Sequence, residues 1–502
     1  MSRSSTEGWW RAGRPWAGAV MLVLLVFAFE VFHRLDASNV CIGNEAVEGL
    51  VVQRLVERGE PVVASARDDT VYKPPLFHWT AATMHRLGNL ATVTATSLRA
   101  TSALYAVATL LLVLFLTRRL FGARAAFLSV LSLAAAYQYV SEGRFGRVDM
   151  ALTFYEWAAL AAFVLWLRTR GAGALWLAAL AMGFATLTKG PVGALLPGGT
   201  MVLFLVLERR LADLRALVRP GPLLLIVAIG TSFYLSCWLA GRDDVLQRQV
   251  ANENFGRFFG TLGRMKAWYY LDPLLLNSVP MSLLAPFAVV AALRTRRGGR
   301  DGRSPGDQIG VQRLLALFWV VTVVFFSVAA YKRRNYILPL WPAVAVLLGW
   351  WSDRWIDRWQ WRGLSVPWRT VYAAACVVMI AFDIAYVPVK EQRECVHEFG
   401  RTVAEAIVER VPPDARLSTF GLDDEKDAPV LFYLHRRVLP LRDGLDAAPA
   451  GYTVVLRDVW LAERSSAAGF EEVLSAGPDA RRFTLLRRAE SNAAAAGTRT
   501  DG

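Results

Sequence analysis

Cysteine and histidine are scarce in this chain: four and five among 502 residues. So few cysteines exclude a small scaffold built on disulfides. No Cys/His spacing of the zinc-binding kind occurs. Charge is also sparse, at 20% of residues against 55% hydrophobic. That balance excludes a disordered chain, which lacks the apolar residues needed for a core. Acids are scarcer than bases, 42 against 56, giving a net charge of +14.

What is abundant is uninterrupted apolar sequence. The runs at 17–32, 101–116, 221–240 and 371–388 carry almost no charge. About 20 apolar residues cross a bilayer as a helix. By this criterion about eleven spans are expected, at 16–33, 95–116, 125–141, 149–167, 174–190, 192–207, 221–240, 270–293, 313–330, 335–351 and 368–388. The first run lacks a clear cleavage motif and is read as a retained span.

The excess of base does not mark a nucleic-acid partner. Arginines collect in alternate loops: Arg11 and Arg14, Arg118, Arg119 and Arg124, Arg168 and Arg170, Arg209 to Arg219, Arg294 to Arg313, and Arg354 to Arg369. Alternation of this kind is a topology signal, because basic loops stay in the cytoplasm. The N-terminus is therefore expected inside and the part beyond the last span outside. Cys41 and Cys395 then share the oxidising side and are candidates for a disulfide.

The expected domain order is a cytoplasmic stretch at 1–15, a membrane core at 16–390 with a long outer loop at 34–94, an outer domain at 391–487, and a tail from 488. In the outer loop, Val47, Leu50, Val51, Leu55 and Val56 recur at helical spacing and predict an amphipathic helix along the membrane interface. Residues 242–268 read as another interfacial segment, and 294–312 as a flexible linker. Beyond 390, EQRECVHEFGRTVAEAIVERV has helical periodicity. RLSTFG, VLFYLHRRVLPL, GYTVVLRD and RFTLLRR are strand-like. The expected fold class is thus an all-α polytopic membrane protein with a small C-terminal α/β domain.

On the outer side, charges stand at span ends beside prolines and aromatics: Asn44 and Glu45; Tyr72, Lys73, Pro74 and Pro75; Arg144, Arg147 and Asp149; Lys189, Gly190 and Pro191; Lys332, Arg333 and Arg334. Outer basic residues oppose the topology bias and need another reason. Cations with one or two carboxylates suit an anionic lipid headgroup. Lys and Arg hold phosphate oxygens and stabilise charge on a leaving phosphate. A carboxylate takes a proton from an acceptor or orients it.

The segments NEAVEGLVVQRLVERGEPVV, VYKPPLFHW, SLRATSAL, GRFGRVDMAL, LTKGPVGALLP and YKRRNYILPLWPAVAVLLGW resemble, in order and spacing, the bacterial polytopic GT-C glycosyltransferases related to aminoarabinose transferase and protein O-mannosyltransferase. The resemblance implies an inner-membrane enzyme that moves a sugar from a polyprenyl-phosphate donor to a lipid A, glycan or protein acceptor on the outer face. It implies catalytic roles for Glu45 and Asp149, with Asn44 at a position where the family usually has Asp. Lys73, Arg144, Arg147, Lys189, Lys332 and Arg333 are the implied donor-phosphate ligands. Tyr72, His78, Tyr331 and Tyr336 are the implied substrate contacts. Aminoarabinose transferases carry Glu where this chain has Tyr72, so participation of a divalent metal is left open and no cofactor is assigned. The implied partners are the lipid-linked donor, the acceptor and membrane lipids. A transporter of lipid-linked substrates and a noncatalytic scaffold are the two alternatives. The first requires charges near the bilayer midplane; the second draws on the acid missing at Asn44.

Overall fold

A computed structural model describes residues 14–489, apart from 58, 60–72, 261–262, 296–309, 361–367, 396–398, 424, 442–443, 466 and 468. Tyr72, most of the N-terminal stretch, most of the Arg/Gly-rich linker and most of the tail therefore lie outside the described residues. Contacts divide the chain into two compact units. One comprises Met1–Leu35, Lys73–Thr80 and Arg99–Pro388; the other comprises Asp36–Tyr72, Ala81–Leu98 and Val389–Gly502.

The principal helices up to residue 394, in chain order, are α1 (Arg14–Phe32), α2 (Gly43–Glu57), α3 (Leu76–Leu87), α4 (Ala95–Phe121), α5 (Ala123–Ala134), α6 (Tyr137–Gly143) and α7 (Val148–Thr169). They continue with α8 (Ala172–Lys189), α9 (Val192–Leu207), α10 (Pro220–Leu239), α11 (Met281–Leu293), α12 (Val311–Val328), α13 (Leu340–Gln360) and α14 (Trp368–Glu394). A helix lies at each of the eleven expected spans. Among the described residues, six are long and apolar enough to cross a membrane, and four more are apolar but shorter. Two expected spans are broken. The run at 125–141 divides into α5 and α6, and 270–293 into Leu271–Leu276 and α11.

The first unit is a helical bundle. Its core joins Phe27, Tyr139, Trp157, Phe163, Phe204, Phe318 and Trp341. Large apolar side chains also cover its outside: Leu25, Leu224, Trp238, Phe287 and Val328 are all exposed. Apolar surface on both sides of a helix is the pattern of a lipid-facing bundle. Close helix approach depends on small residues. At Gly349 of α13, an added Cβ would stand 2.1 Å from Ser129 Oγ and 2.4 Å from the Ala125 carbonyl oxygen of α5.

The second unit has a five-stranded mixed sheet in the order β2-β1-β3-β5-β4, built from β1 (Leu417–Phe420), β2 (Leu439–Pro440), β3 (Gly451–Leu456), β4 (Phe470–Ala476) and β5 (Phe483–Arg488). The β1 strand runs parallel to β2 and β3; β5 runs antiparallel to β3 and β4. Val403, Ile407, Leu417, Val430, Val454 and Leu485 fill its core.

Three expectations change here. VLFYLH does not form a strand: Ala428–Tyr433 is a helix with Pro429 in its first turn, a position that proline favours. The long helical pattern from 391 is two pieces, because α14 ends at Glu394 and the next helix is Gly400–Arg410. Third, α2 is not a half-exposed interfacial helix, since every residue from Asn44 to Arg54 is buried.

Within the second unit, α2 packs on the helix Ala428–Tyr433. A Cβ added at Gly49 would stand 2.6 Å from the Phe432 ring. Gln53 Nε2 donates to the Phe432 carbonyl at 2.9 Å, and Val40 N–H to the Tyr433 hydroxyl at 2.6 Å. Cys41 and Cys395 are joined in a disulfide, with Cα atoms 5.7 Å apart.

Candidate functional site

In the first unit, Arg147 has an extended backbone and α7 begins immediately after it. Asp149 falls in the first turn of α7, while Lys189 is the last residue of α8. An acid at a helix N-terminus and a base at a C-terminus each complement the helix dipole. The two side chains form an ion pair with only 7% and 18% of their surface exposed. Gly190 stops α8 with φ 93°, a left-handed conformation suited to glycine.

A second pair joins Arg147 to Glu142, at the end of α6. Burial holds the Glu142 carboxyl above its ordinary range; Arg147 pulls the other way, and the charge of Asp149 adds to the rise. Arg147 and Lys73 also lie within electrostatic reach of Asp149. Lys73 is half-buried, and the prolines that follow it restrict its backbone to extended forms.

An aromatic pair continues the cluster. Lys189 Nζ lies 4.8 Å from the centre of the Tyr336 ring. Arg257 donates to the Tyr336 hydroxyl at 2.9 Å. The guanidinium groups of Arg257 and Arg333 both lie over Tyr331, at 5.4 and 5.7 Å. The Tyr331 N–H donates to the Arg257 carbonyl at 2.9 Å, so backbone pairing fixes this arrangement.

Two expected phosphate ligands are engaged elsewhere. Arg144 is buried, and its guanidinium donates to the carbonyls of Glu30 at 2.8 Å, His33 at 2.7 Å and Arg34 at 3.4 Å. It caps the end of α1, where helix carbonyls lack intrahelical partners. Lys332 is buried and donates to the Ala329 carbonyl at 2.6 Å, just past α12. Burial lowers its pKa from the ordinary lysine value.

His78 is buried with its ring edge-on to Phe77. Among the described residues, no three His, Cys, Asp or Glu side chains gather as metal ligands would. Asn44 and Glu45 belong to the second unit, both buried in the first turn of α2.

Residues 72–236 match the family described as dolichyl-phosphate-mannose-protein mannosyltransferase. That stretch contains Lys73, Arg144, Arg147, Asp149 and Lys189. The fold is similar to ArnT from Cupriavidus metallidurans, solved in complex with undecaprenyl phosphate: TM-score 0.74 at 18% identity, covering 93% of this chain and 98% of that one. Part of the chain thus matches the protein mannosyltransferase family, and its fold is similar to that of ArnT.

Other relatives agree. The undecaprenyl phosphate-alpha-4-amino-4-deoxy-L-arabinose arabinosyl transferase of Aeromonas salmonicida is 33% identical over 45% of this chain and 40% of its own length. One of the same description from Pseudomonas fluorescens strain Pf0-1 is 25% identical over 76% and 66%. An uncharacterised protein of Aquifex aeolicus is 26% identical over 65% and 62%. The chain thus spans between two fifths and two thirds of the length of these curated relatives.

Sequence reasoning missed Glu142, Arg257 and Glu156. The last is fully buried in α7, its oxygens reach no hydrogen-bond partner among the described residues, and the charge of Lys189 acts on it. The signal was present, since an acid inside an apolar run is a functional candidate. Glu30 and Asp383 are buried within α1 and α14 in the same way. Charges in this chain are therefore not confined to span ends.

Proposed function

We propose that this chain transfers a sugar from a polyprenyl-phosphate donor to a lipid A, glycan or protein acceptor. The observation that carries the reading is the Asp149–Lys189 pair, with Lys73 and Arg147 in its electrostatic reach, Arg257 linked to it through Tyr336, and Arg333 beside Arg257 on Tyr331. An anionic phosphodiester needs such cations, and the phosphate released needs them more. Stabilisation that grows as the leaving group gains charge accelerates the step.

In that step the acceptor oxygen or nitrogen bonds to the anomeric carbon. The bond from that carbon to the phosphate oxygen breaks, and its electron pair leaves on the phosphate. The acceptor proton passes to a carboxylate, and configuration inverts. Asp149 is one candidate for that carboxylate, paired with Lys189. Glu45 is the other, on the strength of the family resemblance; the amide of Asn44 beside it takes no proton at neutral pH.

The arginine loops support a bacterial inner-membrane protein with its N-terminus in the cytoplasm. The Cys41–Cys395 disulfide supports an oxidising compartment for the second unit. The test uses full-length protein in liposomes, undecaprenyl-phosphate monosaccharides as donors, and mass spectrometry of lipid A, glycan and peptide acceptors. Transfer by the wild type and its loss in Asp149→Asn, Glu45→Gln or Lys73→Ala is expected. Undiminished transfer in all three variants rejects the mechanism.

A further inference from the structure

Past Lys189, three polar side chains converge on Gly190. A Cβ there would stand 3.2 Å from Tyr234 Oη, 3.3 Å from Gln249 Nε2 and 3.4 Å from Asn254 Oδ1. Tyr234 comes from α10; the other two come from a π-helix, Gln247–Gly256. Such helices are rare and concentrate at functional sites.

Gln249 is only 2% exposed. Its Oε1 and the Tyr234 hydroxyl reach no partner at normal hydrogen-bond distance among the described residues, although the two side chains lie near each other. Asn254 Nδ2 donates to the Gln249 carbonyl at 2.7 Å, which leaves its Oδ1 toward Gly190. Buried polar groups with unused capacity carry a desolvation cost that a ligand can remove.

The same two stretches of chain carry the cations. Lys189 precedes Gly190, and Arg257, three residues after Asn254, binds the tyrosine beneath Lys189. The three side chains themselves are uncharged and offer both donors and acceptors. An anion calls for donors alone, whereas a sugar hydroxyl both donates and accepts. We propose that Tyr234, Gln249 and Asn254 form the seat for the hydroxyl or amino groups of the donor's sugar, beside the cations that take its phosphate. This rests on the transfer reading above.

The experiment measures binding of bare undecaprenyl phosphate, and of its aminoarabinose, mannose and glucose derivatives, to full-length protein. At least one derivative is expected to bind the wild type more tightly than the bare lipid. Tyr234→Phe and Gln249→Leu should each weaken that derivative about three- to tenfold, with binding of the bare lipid unchanged. The inference is overturned if either folded variant weakens both lipids equally, if both variants leave both lipids unchanged, or if no derivative outbinds the bare lipid. Tyr234→Phe removes one oxygen and keeps the packing, so misfolding of the Gln249 variant does not remove the test. A wild type that binds none of these lipids rejects the transfer reading itself, which the other outcomes leave standing.

Discussion

Each of the two units is held together internally by contacts of a different reach along the sequence. In the membrane unit, the heaviest packing joins near neighbours, α7 on α8 and α8 on α10, with α5 on α13 the one distant pairing of similar weight. In the second unit, the first loop meets residues 354 to 393 positions away, through Val40 with Tyr433, Gln53 with Phe432 and Cys41 with Cys395. Local packing follows from apolar runs that each declare a helix. Distant joins depend on single side chains that look ordinary in the sequence. Function loss and unfolding should therefore separate between the units.

The largest effect is expected from the Asp149–Lys189 pair. Asp149→Asn, or Lys189→Met, should lower transfer by about a hundredfold or more, the scale of one lost electrostatic contact at a reacting centre. The double variant should cost little beyond either single one, because the residues act together. Thermal unfolding of the second unit should not move. If it does, the two units are not energetically separate.

Cys41→Ser comes next. Disulfides contribute about 2–4 kcal/mol in soluble proteins. The lower end applies here, since membrane helices already restrain the intervening chain. Limited proteolysis of residues 400–488 in the variant is the measurement, with transfer recorded in parallel.

Gly49→Ala is expected to cost the second unit about 1–2 kcal/mol, because its methyl meets the Phe432 ring and Leu98. Phe432→Leu should recover part of that loss in the double variant. Full additivity would show that the contact does not hold α2 in place.

The smallest effect is expected at Arg401, paired with Glu405 on an exposed helix face. Arg401→Ala should change stability by no more than about 0.5 kcal/mol, a baseline for the other three.

The positions of the membrane helices were legible because bilayer crossing demands long apolar runs. The breaks at Gly190 and around Tyr331 were legible for the same reason. The Asp149 and Lys189 positions were visible as charges at span ends, but their pairing was not. Arg144 shows why: a phosphate ligand and a cap for distant helix carbonyls look identical until the fold supplies α1. In the second unit, β4 was missed because Glu471 and Glu472 break its alternation. It is an edge strand with an irregularity between Glu472 and Leu474, and edge strands tolerate charge. The π-helix at Gln247–Gly256, read as an interfacial loop, has no simple sequence period to reveal it.

The Cys41–Cys395 bond also imposes a rule of counting. It closes a ring across 354 positions, from just after α1 to the end of α14. Both sulfurs must occupy one face of the bilayer, so the chain between them crosses an even number of times. If α1 crosses as well, the total is odd. A single proteolytic cut within residues 42–394 then leaves both fragments covalently linked. They part only on reduction, so paired reducing and non-reducing gels read the bond, and through it the parity of the crossings.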